Sequence, residues 1–303
     1  MPFHPQFSIK EDQEISLKHK DWLGFSQLQD VSESSIFIDM YPGSHVIVDH
    51  YGLDCQWESN INCESMTVID DLADRHHKCS LLIDQSLKNT KLNYENLVDG
   101  NFDFMGGNLV ILREEFSDER AWEALGSGKV LICMGGADPK SYTKKILENI
   151  ILNHKRCSSP QDEIEINVIV GSACTDYDDL KSLAVTDKLK VSILFNPENI
   201  SQLMLQSELC ILSCGTMILE ACALGVPSIG LAVAENQKST AEFLASSGAI
   251  ELYDFNNEKD LSIYRVILDF INNPKKLSLC SKKLKTMVSS DATEIIARRL
   301  CES

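Results

Sequence analysis

The sequence predicts a two-domain α/β protein whose sheets consist of parallel strands. From Lys129 onward, short runs rich in Val and Ile alternate with helical segments, which is typical of βαβ units. The chain has 303 residues, 44% of them hydrophobic. That is enough for two cores at roughly 100–200 residues a domain. A flexible segment at 123–129 (EALGSGK) indicates a linker, so we expect an N-terminal α/β domain at 1–126 and a doubly wound domain at 127–303.

The first domain contains three short apolar runs that are typical of buried strands. Each run ends in an acidic residue, and in a parallel sheet those acids would lie at the edge where ligands bind. Each acid could instead cap the following helix, which is the interpretation we favour for any single one. The runs are 45–49, 66–70 and 81–84, ending at Asp49, Asp70 and Asp84.

A helix is predicted ahead of these strands, at about 32–41. Asp30 or Ser32 is the expected N-cap, because short polar side chains accept hydrogen bonds from the first free amides. Pro42-Gly43 is expected to end the helix.

The second domain is predicted to alternate strands and helices and to carry a helical tail. Right-handed crossovers would place helices on both faces of its sheet. The tail from Asn257 is expected to break near 273–274 and near 289–291. Strands are predicted at 129–134, 166–171, 191–195, 209–213, 227–233 and 249–253, and helices near 139–154, 176–187, 198–207, 216–225 and 236–247.

Composition excludes several classes of partner. With 28 Lys+Arg against 45 Asp+Glu, the net charge is −17, and an acidic surface repels nucleic acid and anionic lipid. The sequence shows neither a signal-peptide pattern nor an apolar run of the roughly 18 residues that span a bilayer. We therefore expect a cytoplasmic protein that binds neither nucleic acid nor membrane.

The cysteines indicate buried thiols rather than disulfides or a metal site. There are 11 of them in a long chain, and several lie inside apolar runs. No Cys-x-x-Cys pair occurs. His76 and His77 are adjacent, but neighbours on a chain converge poorly on one ion, so no metal is expected.

Two glycine turns stand out by their positions. Gly135-Gly136 follows the first strand of the second domain, and Gly215 follows the fourth strand, with Thr216 opening the next helix. In the usual doubly wound order these strands are neighbours at the point where the strand order reverses, and ligands bind there. Glycine lets the backbone approach a phosphate, and a helix N-terminus supplies free amides. The pattern indicates a diphosphate site, although βα turns also favour glycine for purely structural reasons.

Three further positions are candidates for ligand contact. Glu220 lies one helical turn after Thr216 among apolar residues, where it could accept hydrogen bonds from ribose hydroxyls or simply favour the helix dipole. Asn236-Gln237 follows the fifth strand and could bind a sugar, with Asn236 also a good N-cap. His50 and Tyr51 follow the first strand of the first domain and would face the ligand crevice.

Seven motifs occur in order along the chain and together resemble a known family. They are IVDHYGLD (47–54), VIDDLADRHHKC (68–79), LLIDQSL (81–87), LREEF (112–116), CMGGADP (133–139), SCGTMILEACALGVPSIGL (213–231) and ENQ (235–237). The sequence is similar to the UDP-2,4-diacetamido-2,4,6-trideoxy-β-L-altropyranose hydrolases of pseudaminic acid biosynthesis, and its second half to the nucleotide domain of the lipid II-forming glycosyltransferases. The resemblance spans about residues 20–250 and implies a GT-B fold, in which two Rossmann-like domains face a cleft.

The resemblance also assigns roles to individual residues. Tyr51 and Asn236 match positions that contact the sugar. The implied reaction is attack of water at the anomeric carbon, releasing UDP and free sugar without a cofactor or metal. The nucleotide would be held by Gly135, Gly136, Phe195 (packing on uracil), Gly215, Thr216, Glu220 (binding ribose) and Gln237.

One departure bears on catalysis. The family opens with a strand, a Gly-x-Gly-His loop and a helix, and the loop histidine is the expected base. No Gly-x-Gly-His occurs in this sequence, so we expect a truncated first domain. Three explanations stay open: the coding start lies further upstream, the unit is a separate polypeptide, or the chain binds nucleotide sugars without turnover. His50 is a possible substitute base. A UDP-sugar-dependent glycosyltransferase is the alternative enzyme.

Overall fold

The computed structural model describes residues 17–117, 122–157, 164–185, 189–255 and 262–302. These form two compact units. The first contains the described residues up to Asp84 together with Asn89–Met105, and the second contains Gln85–Lys88 and the described residues from Gly106 to Glu302.

The first unit is built on a four-stranded parallel sheet in the order β1-β2-β3-β4. The three predicted strands are confirmed as β1 (His45–Val48), β2 (Ser65–Ile69) and β3 (Leu81–Ile83). Strand β4 (Asp103–Met105) was not predicted, because a three-residue segment containing an acid carries no strand pattern. It pairs with β3 in parallel, with Leu82 opposite Phe104.

The helices of the first unit are short apart from α1 (Gln27–Ile38). The predicted N-cap of α1 was wrong: the Ser26 side chain caps it by accepting from the Gln29 amide at 3.2 Å, and Asp30 lies inside the helix. Of the twelve residues of α1, all described, none is buried, so no apolar stripe marked its start. The other helices are α2 (Cys55–Glu58), α3 (Lys91–Tyr94) and a 3₁₀ turn at Lys20–Trp22.

The second unit contains a six-stranded parallel sheet in the order β10-β9-β8-β5-β6-β7. This is the doubly wound order, and the expected adjacency of the first and fourth strands, β5 and β8, is confirmed. The strands are β5 (Lys129–Cys133), β6 (Glu165–Val170), β7 (Lys190–Phe195), β8 (Leu209–Ser213), β9 (Ser228–Leu231) and β10 (Glu251–Leu252).

Helices cover both faces of this sheet. The predicted break before Pro274 is confirmed, because Pro274 begins a helix and the Asn273 side chain accepts from the Lys276 amide at 3.2 Å. The α-helices are α4 (Tyr142–Cys157), α5 (Tyr177–Leu183), α6 (Ile200–Leu205), α7 (Thr216–Leu224), α8 (Lys238–Ser246), α9 (Ile263–Ile271), α10 (Pro274–Leu284) and α11 (Ala292–Cys301), with 3₁₀ turns at Glu114–Phe116 and Glu235–Gln237.

Alternate residues of the central strands pack into two cores. On β5, Leu131 and Cys133 lie in one core, while Val130 and Ile132 lie in the other. All five residues of β8 are buried. Both faces of the sheet are therefore covered, which explains why the strands appear in the sequence as continuous apolar runs.

The second unit begins well before the boundary expected at residue 126. Val110, Leu112 and Phe116 are buried in the same core as Leu131 of β5. The described residues between Gly106 and Gly126 therefore belong with the second unit. Across the part of the chain that the structure describes, no helix has the length and apolar character needed to cross a bilayer.

Candidate functional site

The two predicted glycine turns come together at the carboxyl edge of the six-stranded sheet. Cys133 at the end of β5 pairs with Leu212 of β8, so the turns that follow leave the sheet side by side. Gly135 has φ +96°, a conformation that favours glycine. A Cβ placed on Gly135 would lie 3.9 Å from Oγ of Ser213.

A third glycine, which the sequence analysis missed, supports the first turn. A Cβ on Gly171, just after β6, would lie 2.5 Å from the carbonyl oxygen of Gly136 and 2.6 Å from its Cα. A Cβ on Gly136 itself would meet no described atom within 4 Å. Gly171 is therefore needed for packing beneath the turn, while Gly136 faces open space. The signal available in the sequence was that Gly171 directly follows a strand.

The N-terminus of α4 is not a free anion site. The Asp138 carboxylate accepts hydrogen bonds from the amides of Tyr142 at 2.9 Å and Thr143 at 2.7 Å. The expectation that helices after both glycine turns would offer amides to a phosphate is therefore wrong for α4. Its first-turn donors already bind a carboxylate that the sequence places four residues earlier.

The N-terminus of α7 differs, because its N-cap is Gly215 and no described side chain caps it. Its exposed first residue is Thr216, and the helix dipole gives this end a partial positive charge. Gln237 lies beside it: a Cβ on Gly215 would be 3.2 Å from Nε2 of Gln237, whose Oε1 accepts from the Val233 amide at 3.0 Å. This end of α7 can accept an anion.

Glu220 lies about 6 Å further along α7, one turn from Thr216. Glu220 is 1% exposed. Burial raises the pKa of its carboxyl group, whereas the Arg113 guanidinium lowers it. Oε1 accepts from Nε of Arg113 at 2.9 Å. Oε2 is buried and has no hydrogen-bond partner among the described residues. A buried acceptor without a partner is costly, so Oε2 is a candidate acceptor for a further hydrogen bond.

Phe195 ends β7, two strands away from β5 and so about 10 Å from it. Its side chain is half exposed and its ring lies 4.9 Å from the ring of Tyr177. The next residue, Asn196, has φ +43° and donates its amide to Val170 at 2.8 Å. The sheet edge therefore holds an accessible aromatic face on the same side as the glycine turns.

Asn236 is not the N-cap that its type suggested. It lies inside the 3₁₀ turn Glu235–Gln237, and the N-cap of α8 is Gln237. Asn236 is half-buried on the segment that follows β9. The interpretation of Asn236 as an N-cap was therefore wrong.

In the first unit, Tyr51 belongs to a polar and aromatic cluster. Its hydroxyl donates to Oδ1 of Asp71 at 2.7 Å, and the Arg75 guanidinium lies 5.7 Å from its ring centroid. The rings of His19 and Trp22 lie 5.6 and 5.8 Å away. Burial raises the pKa of Asp71 to about 6. Sequence analysis missed Asp71 as a partner of Tyr51, because twenty residues separate them.

His50 is held by a local contact. Its Nδ1 accepts from the amide of Gly52 at 3.0 Å. A neutral imidazole that accepts through Nδ1 carries its proton on Nε2. The lone pair on Nδ1 of His50 is therefore engaged by a backbone amide.

Two of the three strand-end acids, Asp70 and Asp84, are buried and hydrogen-bonded within the first unit. Asp70 is buried, pairs with Arg75 and accepts from the Ala73 amide at 2.9 Å. His77 is buried and bonds Glu58 through Nδ1 at 2.8 Å, whereas its neighbour His76 is exposed. Among the described residues, no group of three or more His, Cys, Asp or Glu side chains is arranged to hold a metal.

The chain is similar to two curated proteins. It is 28% identical over 207 residues, 67% of this chain and 71% of the relative, to the UDP-2,4-diacetamido-2,4,6-trideoxy-beta-L-altropyranose hydrolase of Campylobacter jejuni. It is 28% identical over 251 residues to an uncharacterized protein of Methanocaldococcus jannaschii, covering 77% of this chain and 49% of that protein. The chain thus spans about half the length of the archaeal relative. No protein-family model matches.

Solved structures establish the fold. MurG of Acinetobacter baumannii superposes with a TM-score of 0.59 at 12% identity, covering 91% of this chain and 78% of that one. The spinosyn rhamnosyltransferase SpnG superposes with a TM-score of 0.59 at 14% identity, covering 93% and 80%. The fold is that of the GT-B glycosyltransferases, and the resemblance to the altropyranose hydrolase drawn from the motifs is confirmed.

Proposed function

We propose that this chain is an enzyme that acts on a UDP-sugar, and that its reaction is hydrolysis of a UDP-linked 2,4-diacetamido-2,4,6-trideoxy sugar to UDP and free sugar. One observation carries the proposal: the unpartnered Oε2 of Glu220 lies one helical turn beyond the uncapped N-terminus of α7. A diphosphate at that N-terminus and a ribose hydroxyl at Oε2 would satisfy both. The similarity to the C. jejuni hydrolase supports the choice of sugar and reaction.

The diphosphate would bind where α7 and the first glycine turn meet. The backbone amides at Gly215 and Thr216 favour negative charge. Gly135 and Gly136 allow close backbone approach, since a side chain on Gly136 would enter the open space that the phosphate needs. Gln237, fixed by Val233, would donate an amide hydrogen from beside Gly215.

The nucleoside would extend along the carboxyl edge of the sheet. Glu220 would accept from ribose hydroxyls, and the half-exposed ring of Phe195 would stack on uracil. The separation of about 10 Å between β5 and β7 suits a nucleoside lying between phosphate and base.

The sugar side would involve Tyr51 and Asn236. At neutral pH Asp71 is ionised, and its carboxylate accepts a hydrogen bond from the Tyr51 hydroxyl. A phenolic oxygen can also accept a hydrogen bond, as from an acetamido N–H of the sugar. Asn236 can both donate and accept, as an acetamido group requires.

In the reaction, water forms a bond to the anomeric carbon as the bond from that carbon to the diphosphate oxygen breaks. UDP leaves with the bonding electrons, and the α7 N-terminus stabilises the developing charge. The proton of the attacking water passes to a base. His50 is disfavoured for that role, because its Nδ1 already accepts from Gly52.

The test is UDP release from UDP-2,4-diacetamido-2,4,6-trideoxy-altrose by the full chain and by Glu220→Gln. The variant keeps the shape of the side chain but loses its charge. We expect turnover by the wild type, and UDP binding about tenfold weaker in the variant, the loss of one hydrogen bond to a charged group. UDP binding without turnover would leave a nucleotide-sugar-binding protein. If the chain neither binds UDP nor releases it from the substrate, the proposal is overturned.

A glycosyltransferase is the second candidate, favoured by the GT-B neighbours. It predicts UDP release only when an acceptor is supplied. Turnover in water alone, with free sugar recovered in equal amount to UDP, would exclude it.

A further inference from the structure

Arg113 connects three elements of the second unit through its guanidinium group. Nε donates to Oε1 of Glu220 at 2.9 Å, and Nη1 lies 3.0 Å from Oε1 of Glu115. The other oxygen of Glu115 accepts from the Ser201 amide in the first turn of α6 at 3.0 Å. Arg113 and Glu115 together therefore link α7 to α6.

The position of Arg113 is fixed by the chain around it. Leu112 and Phe116 are buried in the core, and the guanidinium carbon of Arg113 lies 4.8 Å from the Phe116 ring centroid. The Arg113 side chain is nonetheless 48% exposed. It can keep its charge hydrated while it bonds a carboxylate that is itself buried.

This geometry leaves Glu220 with one engaged and one open oxygen. Without Arg113 the pKa of Glu220 would lie higher still, because burial raises it and the Arg113 guanidinium lowers it. Nε holds Oε1 only, so Oε2 stays available with its full acceptor strength. The guanidinium thus favours the charged form of Glu220 and bonds one of its two oxygens.

We propose that Arg113 is a positioning residue that holds the Glu220 carboxylate ready to accept ribose hydroxyls, and so makes the site select ribonucleoside diphosphates over nucleotides that lack those hydroxyls. The inference deepens the proposed function and rests on it. A motif that the sequence singled out without a role, LREEF at 112–116, would thereby acquire one.

The test compares two ligands, UDP and 2′,3′-dideoxy-UDP, by titration calorimetry on the full chain. In the wild type we expect UDP to bind roughly tenfold more tightly, the value of one hydrogen bond to a charged group. Arg113→Met should weaken UDP binding roughly tenfold and change dideoxy-UDP binding less than twofold. Arg113→Met combined with Glu220→Gln should bind UDP no more weakly than either single variant, because both act on the same contact.

Arg113→Lys is the matched variant, since it keeps the charge but loses the Nε and Nη1 fork. We expect it to restore part of the UDP affinity lost in Arg113→Met. The pH at which UDP binding is half lost on acidification should rise in Arg113→Met and return towards the wild-type value in Arg113→Lys. If Arg113→Met fails to fold, Arg113→Lys carries the comparison with wild type, with partial loss of the preference for UDP expected.

Three results would overturn the inference. Equal losses for UDP and dideoxy-UDP in the Arg113 variants would mean a general structural role or a contact to phosphate. An unchanged UDP preference in both variants would mean that Glu220 needs no support. A wild type that binds both ligands equally would remove the ribose contact, whereas a wild type that binds neither would fail the proposed function itself.

Discussion

The carboxylate of Glu208 accepts a hydrogen bond from the backbone amide of Gly128 at 2.8 Å through one oxygen, and its other oxygen accepts from Gly126 at 2.8 Å. Glu208 is 1% exposed and directly precedes β8. Trp122 adds a bond from its indole nitrogen to the Ser207 carbonyl at 2.8 Å. The segment that resembled a flexible linker is therefore tied to the start of a central strand.

Glu208→Ala should destabilise the folded chain by about 2 kcal/mol, because it removes two charge-assisted hydrogen bonds whose donors regain water only in part. Glu208→Gln should lose less stability, since its single side-chain oxygen can still accept from one of the two amides. Urea unfolding at pH 7 measures both. Glu123→Ala, an exposed change in the same loop, is the control and should stay within about 0.5 kcal/mol of wild type. Equal losses of stability in Glu208→Ala and Glu123→Ala would show that the hydrogen bonds of Glu208 do not stabilise the fold.

Gly171 and Gly136 form a matched pair for separating packing from ligand access. Gly171→Ala places a methyl group against the Gly136 backbone and should lower stability by roughly 1–3 kcal/mol. Gly136→Ala meets no described atom and should leave stability nearly unchanged while weakening UDP binding, because the methyl group enters the proposed phosphate space. Thermal unfolding and UDP titration measure the two effects. A Gly136→Ala variant that binds UDP as tightly as wild type would remove this turn from the site.

Asp71 gives a pH dependence with a defined sign. Its pKa is raised from 3.8 to about 6 by burial, so the folded chain holds this proton more tightly than the unfolded chain does. Ionisation of Asp71 therefore destabilises the folded state as the pH rises from about 4 to about 6. Between pH 4 and pH 7, the free energy of unfolding of Asp71→Asn should rise by about 1–2 kcal/mol relative to that of wild type. This energy is already reduced to allow for the partial exposure of Asp71.

The carboxyl titration of Asp71 can also be followed directly by NMR, with an expected midpoint near 6. In Tyr51→Phe the midpoint should rise further, because the Tyr51 hydroxyl bond lowers this pKa. A midpoint near 4 in the wild type would show that Asp71 is hydrated rather than buried, and an unchanged midpoint in Tyr51→Phe would contradict the pairing with Tyr51.

Much of the second unit was predictable from the sequence because its signals are local. Continuous apolar runs such as β8 predict strands that are buried on both faces, and Asn273-Pro274 predicts the start of a helix. The alternation of strands and helices predicted a doubly wound domain, and the adjacency of β5 and β8 was expected from the usual order of such sheets. Strand β4 and the helix α1 carried weaker patterns, so one was missed and the other was misplaced at its start.

What the sequence determined by itself was the α/β class, the alternation of strands and helices in the second unit, and the candidate glycines and Glu220, since these depend on periodicity and on residue type. The tertiary structure decided which helix end is free: Asp138 closes α4, whereas Gly215 leaves α7 open. It also decided which oxygen of Glu220 is available, through Arg113, 107 residues away. Such facts depend on side chains that meet only after the chain has folded, and no local pattern records them.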